Sequence, residues 1–178
     1  MTIFVCPRSR VEQMMALHRP ERIVSMMDPG SGFPELGSAY ADRHLRLSFH
    51  DVHEAATNRT APAASHVQEL IRFVRGWERR APLLIHCRAG IGRSTAAAYV
   101  AACLLSPAVS ELEIAVTLRR ASPLARPNET LVCIADRVMG RNGRMSEAIS
   151  STGRGLPWIE VDEGEAFEVP LDFRSPPA

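Results

Sequence analysis

The spacing of hydrophobic residues along the chain distinguishes predicted strands from predicted helices. Short runs rich in apolar and β-branched residues predict four strands: TIFVCP at 2–7, RIVSMM at 22–27, HLRLSFHD at 44–51 and PLLIHC at 82–87. The third of these strands is predicted to end near Asp51. Apolar residues at helical spacing predict a helix between Ala63 and Arg80, and the near-continuous apolar run STAAAYVAACLL predicts a helix inside the body. Strands therefore alternate with helices in the first half of the chain.

Three further segments have the pattern of amphipathic helices, each preceded by a residue that can cap it. Ser9 precedes RVEQMMALH, Ser110 precedes ELEIAVTLRRAS, and Asn128 precedes ETLVCIADRVMG. Early alternation followed by helices alone is typical of an α/β fold, with a central, mostly parallel sheet flanked by helices on both faces.

The composition changes after Gly153. Between Arg154 and Arg174 the chain has six acidic residues and no basic one. Alternate apolar positions at Phe167, Val169, Leu171 and Phe173 are typical of an extended segment. We therefore predict one domain over 1–153 and an acidic C-terminal tail over 154–178 that packs on it or on a neighbouring copy. A second interpretation is a regulatory flap over a positive active-site mouth.

Charge and composition exclude several classes of protein. The 178 residues include 46% hydrophobic and 23% charged residues, with 21 basic against 20 acidic side chains and a net charge of +1. This balance gives no general attraction to nucleic acid or to anionic membrane, and no apolar run approaches the roughly 20 residues of a membrane span. The start, MTIFVCPRSRVEQ, lacks the pattern of a secretory signal. We expect a cytoplasmic protein without nucleic-acid or membrane partners.

All 21 basic residues are arginine. The absence of lysine excludes a lysine nucleophile, a Schiff base and the lysine of a Walker loop. The four cysteines are far apart in sequence and form no Cys-x-x-Cys pair. Cys103 and Cys133 lie in apolar helical patterns, which predicts that both are buried thiols.

Cys87 stands apart, because it ends a predicted strand and opens the stretch HCRAGIGRST. A strand that leads into a helix through glycines turns backbone N–H groups toward one point at the positive end of the helix dipole. Such a cradle favours a thiolate at Cys87 and binds an anion. Gly90 and Gly92 allow the tight curl, and Arg93 can hold two oxygens of a tetrahedral oxyanion.

This stretch resembles the catalytic loop of Cys-based protein tyrosine and dual-specificity phosphatases: His-Cys, five residues, Arg, then Ser or Thr. The resemblance implies that Cys87 attacks phosphorus to form a cysteinyl-phosphate, which water hydrolyses without metal or other cofactor. Arg93 and the backbone of Arg88, Ala89, Gly90, Ile91 and Gly92 would bind the phosphate. His86 would fix the loop, and Ser94 would hydrogen-bond the sulfur when it leaves.

A tyrosine leaving oxygen departs more easily when an acid protonates it. The family supplies an aspartate about thirty residues before its cysteine, and Asp51 stands 36 positions before Cys87. Asp42 and Glu54 are alternative acids, and a helix cap or solvated loop is the alternative role for Asp51. The nearby His50 and His53 lack a matched set of further ligands, so we expect no metal site.

The segment SPLARPNETL resembles the Pro-Asn segment after the catalytic loop of dual-specificity enzymes, so Asn128 would brace that loop as well as cap its helix. The Trp-Pro-Asp sequence of larger tyrosine-specific enzymes is absent. These two features favour the compact dual-specificity-like branch.

The implied substrate is phosphotyrosine in a protein, with dual specificity open. Phosphoinositides and other small phosphate esters are alternatives. A rhodanese-like sulfurtransferase has a loop shorter by one residue, and a phosphoprotein-binding module usually lacks the cysteine or the arginine. The sequence leaves the oligomeric state undetermined.

Overall fold

Five strands form one sheet in the order β3-β2-β4-β1-β5 in a computed structural model that describes residues 1–52, 57–153, 155–156 and 161–173. Strands β1 to β4 run parallel, and β5 runs antiparallel to β1 at the edge. The predicted mostly parallel sheet is confirmed. The strands are β1 Thr2–Pro7, β2 Arg22–Met27, β3 His44–Ser48, β4 Leu83–Cys87 and β5 Phe167–Pro170.

Helices cover both faces of this sheet, as the α/β pattern predicts. Helix α1 packs on one face through Val11 and Met14, which contact Cys6, Ile23 and Leu84. The other five helices in the described ranges pack on the opposite face and form the larger core. None of the described helices has both the length and the hydropathy to cross a bilayer. The helices are α1 Val11–His18, α2 Ala64–Arg75, α3 Arg93–Leu105, α4 Glu111–Ala121, α5 Glu129–Val138 and α6 Arg144–Ser151.

Strand β4 is the centre of the sheet, and all five of its residues are buried. Its last residue, Cys87, pairs with Pro7 of β1 and with Met26 of β2, so three parallel strands end at the same edge. Ligands of parallel α/β sheets bind at this carboxyl edge, where loops lead from strands into helices. The register thus places the Cys87 loop where a ligand site is expected.

Helix α3 begins directly after that loop and runs through the core. Eleven of its residues are buried, including the alanines of STAAAYVAACLL. Small side chains let neighbouring helices and the sheet approach the α3 backbone closely. The predicted buried helix is confirmed, and it anchors the loop that precedes it.

Three sequence-based boundaries are wrong. Helix α1 begins at Val11 after a 3-10 turn at Arg8–Arg10, so Ser9 does not cap it. Strand β3 ends at Ser48, because the backbone N–H of His50 leaves the sheet and donates to the carbonyl of Thr60 at 2.8 Å. Helix α2 ends at Arg75, and the following indole of Trp77 donates to the carbonyl of Ala81 at 2.9 Å.

Two of the predicted helix caps form, but one of the two cysteines predicted to be buried is only half-buried. Ser110 accepts from the backbone N–H of Glu113, and Asn128 accepts from that of Leu131. Cys103 is buried, and burial raises the pKa of its thiol to about 12. Cys133 is only half-buried, because it lies beside the exposed face of α5.

Tyr99 links three helices at the centre of the larger core. Its side chain is fully buried, and its hydroxyl lies 3.2 Å from the carbonyl oxygens of both Glu111 in α4 and Met145 in α6. A buried hydroxyl of this kind both satisfies a carbonyl and fixes helix positions.

We predict that Tyr99→Phe lowers the free energy of unfolding by about 1–2 kcal/mol, because it removes the hydroxyl and leaves a buried carbonyl with one partner fewer. Urea denaturation followed by circular dichroism measures this loss. The ring volume is kept, so the steady-state kinetics should not change. A variant as stable as the parent protein would show that the two contacts add nothing to stability.

Candidate active site

A cavity of about 460 Å³ opens at the carboxyl edge of the sheet, around the loop at residues 88–92. Cys87 and Arg93, which flank this loop, both line the cavity. Its other walls come from distant parts of the chain: Asp28, Asp51, Arg59, Arg126, Asn128, Val161 and Asp162. The cavity therefore gathers the predicted nucleophile, the predicted phosphate-binding arginine and the predicted acid.

Four carbonyl oxygens of the loop accept hydrogen bonds from residues outside the loop. Four backbone N–H groups donate to four loop carbonyls: Arg8 to Arg88 at 3.1 Å, Gly164 to Ala89 at 2.7 Å, Arg126 to Ile91 at 2.9 Å and Asn128 to Gly92 at 3.3 Å. In a planar trans peptide the N–H points opposite to the C=O. With these carbonyls held outward, the N–H groups of Ala89, Gly90, Gly92 and Arg93 point inward.

One of those inward groups already has a partner. The N–H of Gly90 lies 3.3 Å from Sγ of Cys87, the geometry of a donor to a thiolate. Gly90 has a φ of +73°, and a Cβ placed on it would lie 2.7 Å from the backbone nitrogen of Pro7. Both the left-handed conformation and the close approach require glycine here.

Cys87 is the buried end of this arrangement. Its Sγ lies 3.1 Å from Oγ of Ser94, which is itself fully buried in the first turn of α3. The sulfur thus faces a backbone N–H on one side and a hydroxyl on the other. Both groups can donate to sulfur when it is negative.

Arg93 is buried and held at one end only. Its Nη1 donates to Oδ1 of Asp28 at 2.8 Å and to the carbonyl oxygen of Phe49 at 2.6 Å. Its Nε is buried and has no hydrogen-bond partner among the described residues. Such a donor costs about 1–3 kcal/mol when left unpaired. An oxyanion in the cavity would satisfy it.

Asp28 is a residue of the site that the sequence pattern did not indicate. Its side chain is mostly buried, with 24% of the side-chain surface exposed, and it forms an ion pair with Arg93. The available signal was its place directly after β2, since parallel strands bring the residues after their carboxyl ends to one edge. Asp28 fixes the guanidinium that lines the cavity.

Asp51 lines the cavity directly beside Gly92 and is exposed to solvent. Its Oδ1 accepts from Nδ2 of Asn128 at 2.7 Å, and the Nδ2 group also lies 3.3 Å from the carbonyl of Val52. A Cβ on Gly92 would overlap the carboxylate of Asp51. Asn128 is 2% exposed and joins the Asp51 segment, the loop and helix α5 in one set of hydrogen bonds.

The alternative acids and the histidines lie elsewhere. Asp42 lies in the turn before β3, at the amino end of that parallel strand, and does not line the cavity. Glu54 and His53 fall outside the described residues. Nδ1 of His50 accepts from the backbone N–H of Thr60 at 2.9 Å, which holds the ends of this segment together. In the described part of the chain, no group of three or more His, Cys, Asp or Glu side chains could hold a metal ion.

His86 contacts the sheet rather than the interior of the loop. Its Nε2 lies 2.5 Å from Oγ of Ser25 on β2, and the same Oγ lies 2.6 Å from Nε2 of His44. Burial lowers the pKa of His86 and of His44 to about 4 each, with a smaller contribution in the same direction from nearby positive charges. Both rings are therefore neutral at pH 7.

The remaining predicted binding residues are on the loop itself. The side chain of Arg88 is exposed, whereas Ala89 and Ile91 are half-buried. All three line the cavity. Their catalytic and binding roles stay predictions at this point.

A family model matches residues 22–109, and its description reads "Polymorphic toxin system, DSP-PTPase phosphatase". The sequence matches no curated protein significantly. Among solved structures, DUSP15 has a TM-score of 0.56 at 18% identity, with 83% of this chain and 89% of that chain covered. Human DUSP28 also has a TM-score of 0.56, at 16% identity, with 85% and 95% covered. These structural likenesses show a shared fold.

A third structure, of PTPMT1 in complex with PI(5)P, has a TM-score of 0.54 at 15% identity, with 77% of this chain and 90% of that chain covered. The family-model match over residues 22–109 and the shared fold both agree with the resemblance of the Cys87 loop to that of Cys-based phosphatases. The family model and these structures are of the compact dual-specificity type that the sequence predicts.

Burial also lowers the pKa of His66, and the three depressed histidine pKa values predict a loss of stability in mild acid. The unfolded state binds a proton near pH 6.5, whereas folded His86 does so only near pH 4. Stability is therefore complete above pH 6.5 and falls as the pH drops toward 4. For His86 alone the total loss is about 3 kcal/mol.

Urea unfolding at several pH values between 7 and 5 measures this slope. We expect His86→Gln to reduce this slope by the equivalent of up to about one bound proton, since it removes the fully buried imidazole. This range lies above the ordinary titration of carboxylates, so the histidines with lowered pKa values, His44, His66 and His86, dominate it. An unchanged slope in His86→Gln would contradict the assignment.

Proposed function

We propose that this protein hydrolyses phosphate monoesters through a cysteinyl-phosphate on Cys87, and that protein phosphotyrosine is the substrate. The observation that carries the proposal is the set of donors around one point. The N–H of Gly90 is directed at Sγ of Cys87, and the buried Nε of Arg93 has no partner among the described residues. A phosphoryl group bound above the sulfur would pair with both the arginine and the inward N–H groups.

In the first step Sγ of Cys87 attacks phosphorus, so an S–P bond forms and the P–O bond to the substrate breaks. The leaving oxygen takes a proton from the carboxyl of Asp51, which lies at the exposed wall of the cavity. Negative charge on the transferring group is stabilised by Arg93 and by the N–H groups of the loop. Asp28 and the carbonyl of Phe49 hold the guanidinium in place throughout.

In the second step a water molecule attacks phosphorus, and the Asp51 carboxylate accepts its proton. The S–P bond breaks and inorganic phosphate is released. Ser94 lies 3.1 Å from the sulfur and would donate a hydrogen bond to the departing thiolate. Asn128 is a positioning residue, because it holds Asp51 by a 2.7 Å bond.

Phosphotyrosine is favoured because its phenol, with a pKa near 10, is a better leaving group than an aliphatic alcohol, and Asp51 can protonate it as it leaves. Phosphoserine and phosphothreonine would extend the range to dual specificity. A phosphoinositide or other small phosphate ester is the second candidate, favoured by three further arginines in the cavity wall: Arg59, Arg88 and Arg126. PTPMT1, which shares the fold, has been crystallised with PI(5)P.

The rival functions are less well supported. A phosphoprotein-binding module has no need of a cysteine and an arginine at one cavity, yet Cys87 and Arg93 both line it. A rhodanese-like sulfurtransferase has one residue fewer in its loop than the five that separate Cys87 from Arg93 here. Thiosulfate:cyanide transfer without phosphatase activity would favour that rival.

The domain limits and the location complete the proposal. We infer a phosphatase domain over residues 1–153 with residues 154–178 packed on it, which the pairing of β5 with β1 supports. A cytoplasmic location suits a mechanism that needs a reduced thiol, and Cys6, Cys87, Cys103 and Cys133 are all free.

We expect Cys87→Ser to lower the hydrolysis of an aryl phosphate by about a thousandfold or more, because a hydroxyl in this site is a far weaker nucleophile than a thiolate. Cys133→Ser, which removes a half-buried thiol outside the cavity, is the matched control and should keep the parent rate. Rapid quenching followed by mass spectrometry should find a phosphoryl group on the parent protein alone. Parent-level turnover by a pure Cys87→Ser protein would refute the mechanism.

The loss of turnover in Asp51→Ala should depend on the leaving group of the substrate. We expect turnover of phosphotyrosine to fall by about a hundredfold, within the 10²–10⁴ range of general acid catalysis. Turnover of 4-nitrophenyl phosphate should fall much less at this step, since nitrophenolate leaves readily without a proton. The matched control is Asp42→Ala, at the other edge of the sheet. Equal losses on both substrates would argue against an acid role, and no loss would direct the test to Glu54.

A further inference from the structure

Residues 161–165, the rim segment, reach the active site from the C-terminal part of the chain. Strand β5 runs antiparallel to β1, so its start lies beside the carboxyl end of β1 and the Cys87 loop. The chain just before β5 therefore passes the mouth of the cavity. Val161 and Asp162 line the same cavity as Cys87.

The rim segment is attached to the loop and to the start of α1. The N–H of Gly164 donates to the carbonyl of Ala89 at 2.7 Å. Oγ of Ser9 donates to Oε1 of Glu163 at 2.7 Å, and Nη2 of Arg10 lies 3.7 Å from Oε2 of Glu165. Gly164 is buried so tightly that an added Cβ would lie 3.3 Å from Cγ1 of Ile91. These contacts hold the segment at the cavity as part of its wall.

Asp162 differs from the other two carboxylates of the cavity. Asp28 is paired with Arg93, and Asp51 accepts from Asn128. Asp162 is exposed, and it has no hydrogen bond or ion pair with the part of the chain that the structure describes. Its charge is thus available to whatever group a substrate places beside the phosphate.

The charges in the wall are distributed unequally. Arg59, Arg88 and Arg126 also line the cavity and attract any anion that enters. A single carboxylate among these arginines lowers that attraction on its own side. Interactions between exposed charges fall off over about 8–10 Å at ordinary salt, so Asp162 acts on groups next to the phosphate and not on distant parts of a substrate.

We propose that Asp162 is a specificity-determining residue, which disfavours phosphotyrosine substrates with an acidic residue beside the phosphotyrosine and favours those with a basic one. This proposal rests on the proposed function, since it concerns the substrate of the same site. It makes the C-terminal segment a part of the substrate-binding wall.

The test compares three phosphotyrosine peptides of one sequence that carry Glu, Ala or Arg on both sides of the phosphotyrosine. For Asp162→Asn we expect the ratio of kcat/KM for the Glu peptide over the Ala peptide to rise about threefold to tenfold, and the Arg/Ala ratio to fall. Glu168→Gln is the matched control, because it makes the same change on an exposed residue of β5 that does not line the cavity. Higher salt should shrink the effect of Asp162→Asn.

Unchanged ratios in an Asp162→Asn protein that still hydrolyses 4-nitrophenyl phosphate would overturn the proposal and leave the proposed function intact. An equal rise on all three peptides would also overturn it, because the rim segment would then be a general cover. A binding measurement tests the role of Asp162 independently of catalytic turnover. Fluorescence anisotropy of the labelled peptides on Cys87→Ser, with and without Asp162→Asn, should give the same change in ratio, even if the parent protein proves inactive.

Discussion

The hydrogen bonds accepted by the carbonyl oxygens of residues 88–92 are the constraint on which the site depends. They come from three distant parts of the chain: the residue after β1, the rim segment and the stretch before α5. A peptide group cannot turn its C=O outward without turning its N–H inward. The surrounding fold therefore determines the direction of the loop dipoles before any substrate arrives, and one of them, the N–H of Gly90, already lies 3.3 Å from Sγ of Cys87.

The local part of this arrangement could be predicted from the sequence. Strand β4, the glycines and the buried α3 follow one another within 23 residues of sequence, from Leu83 to Leu105, and each has a clear pattern. Gly90 shows why the pattern is informative, since its positive φ and its approach to Pro7 both exclude a side chain. The α/β class followed from alternation alone.

The long-range part could not be predicted in this way. Asp28 reaches Arg93 across 65 residues, and Asn128 reaches Asp51 across 77. Helix α6 depends on Asp136, whose carboxylate accepts from the backbone N–H groups of Gly143 at 2.6 Å and Met145 at 2.7 Å. Its capping acid thus lies in the preceding helix, where no rule on neighbouring residues would look for it.

The antiparallel position of β5 also has a consequence for the order in which the site can form. Synthesis proceeds from the amino terminus, and early segments can fold before later ones exist. Strands β1 to β4 and the Cys87 loop can assemble while Gly164 is still absent, so the carbonyl of Ala89 lacks its partner until the last part of the chain emerges. A nascent chain would hold the nucleophile early and gain its finished cavity wall late.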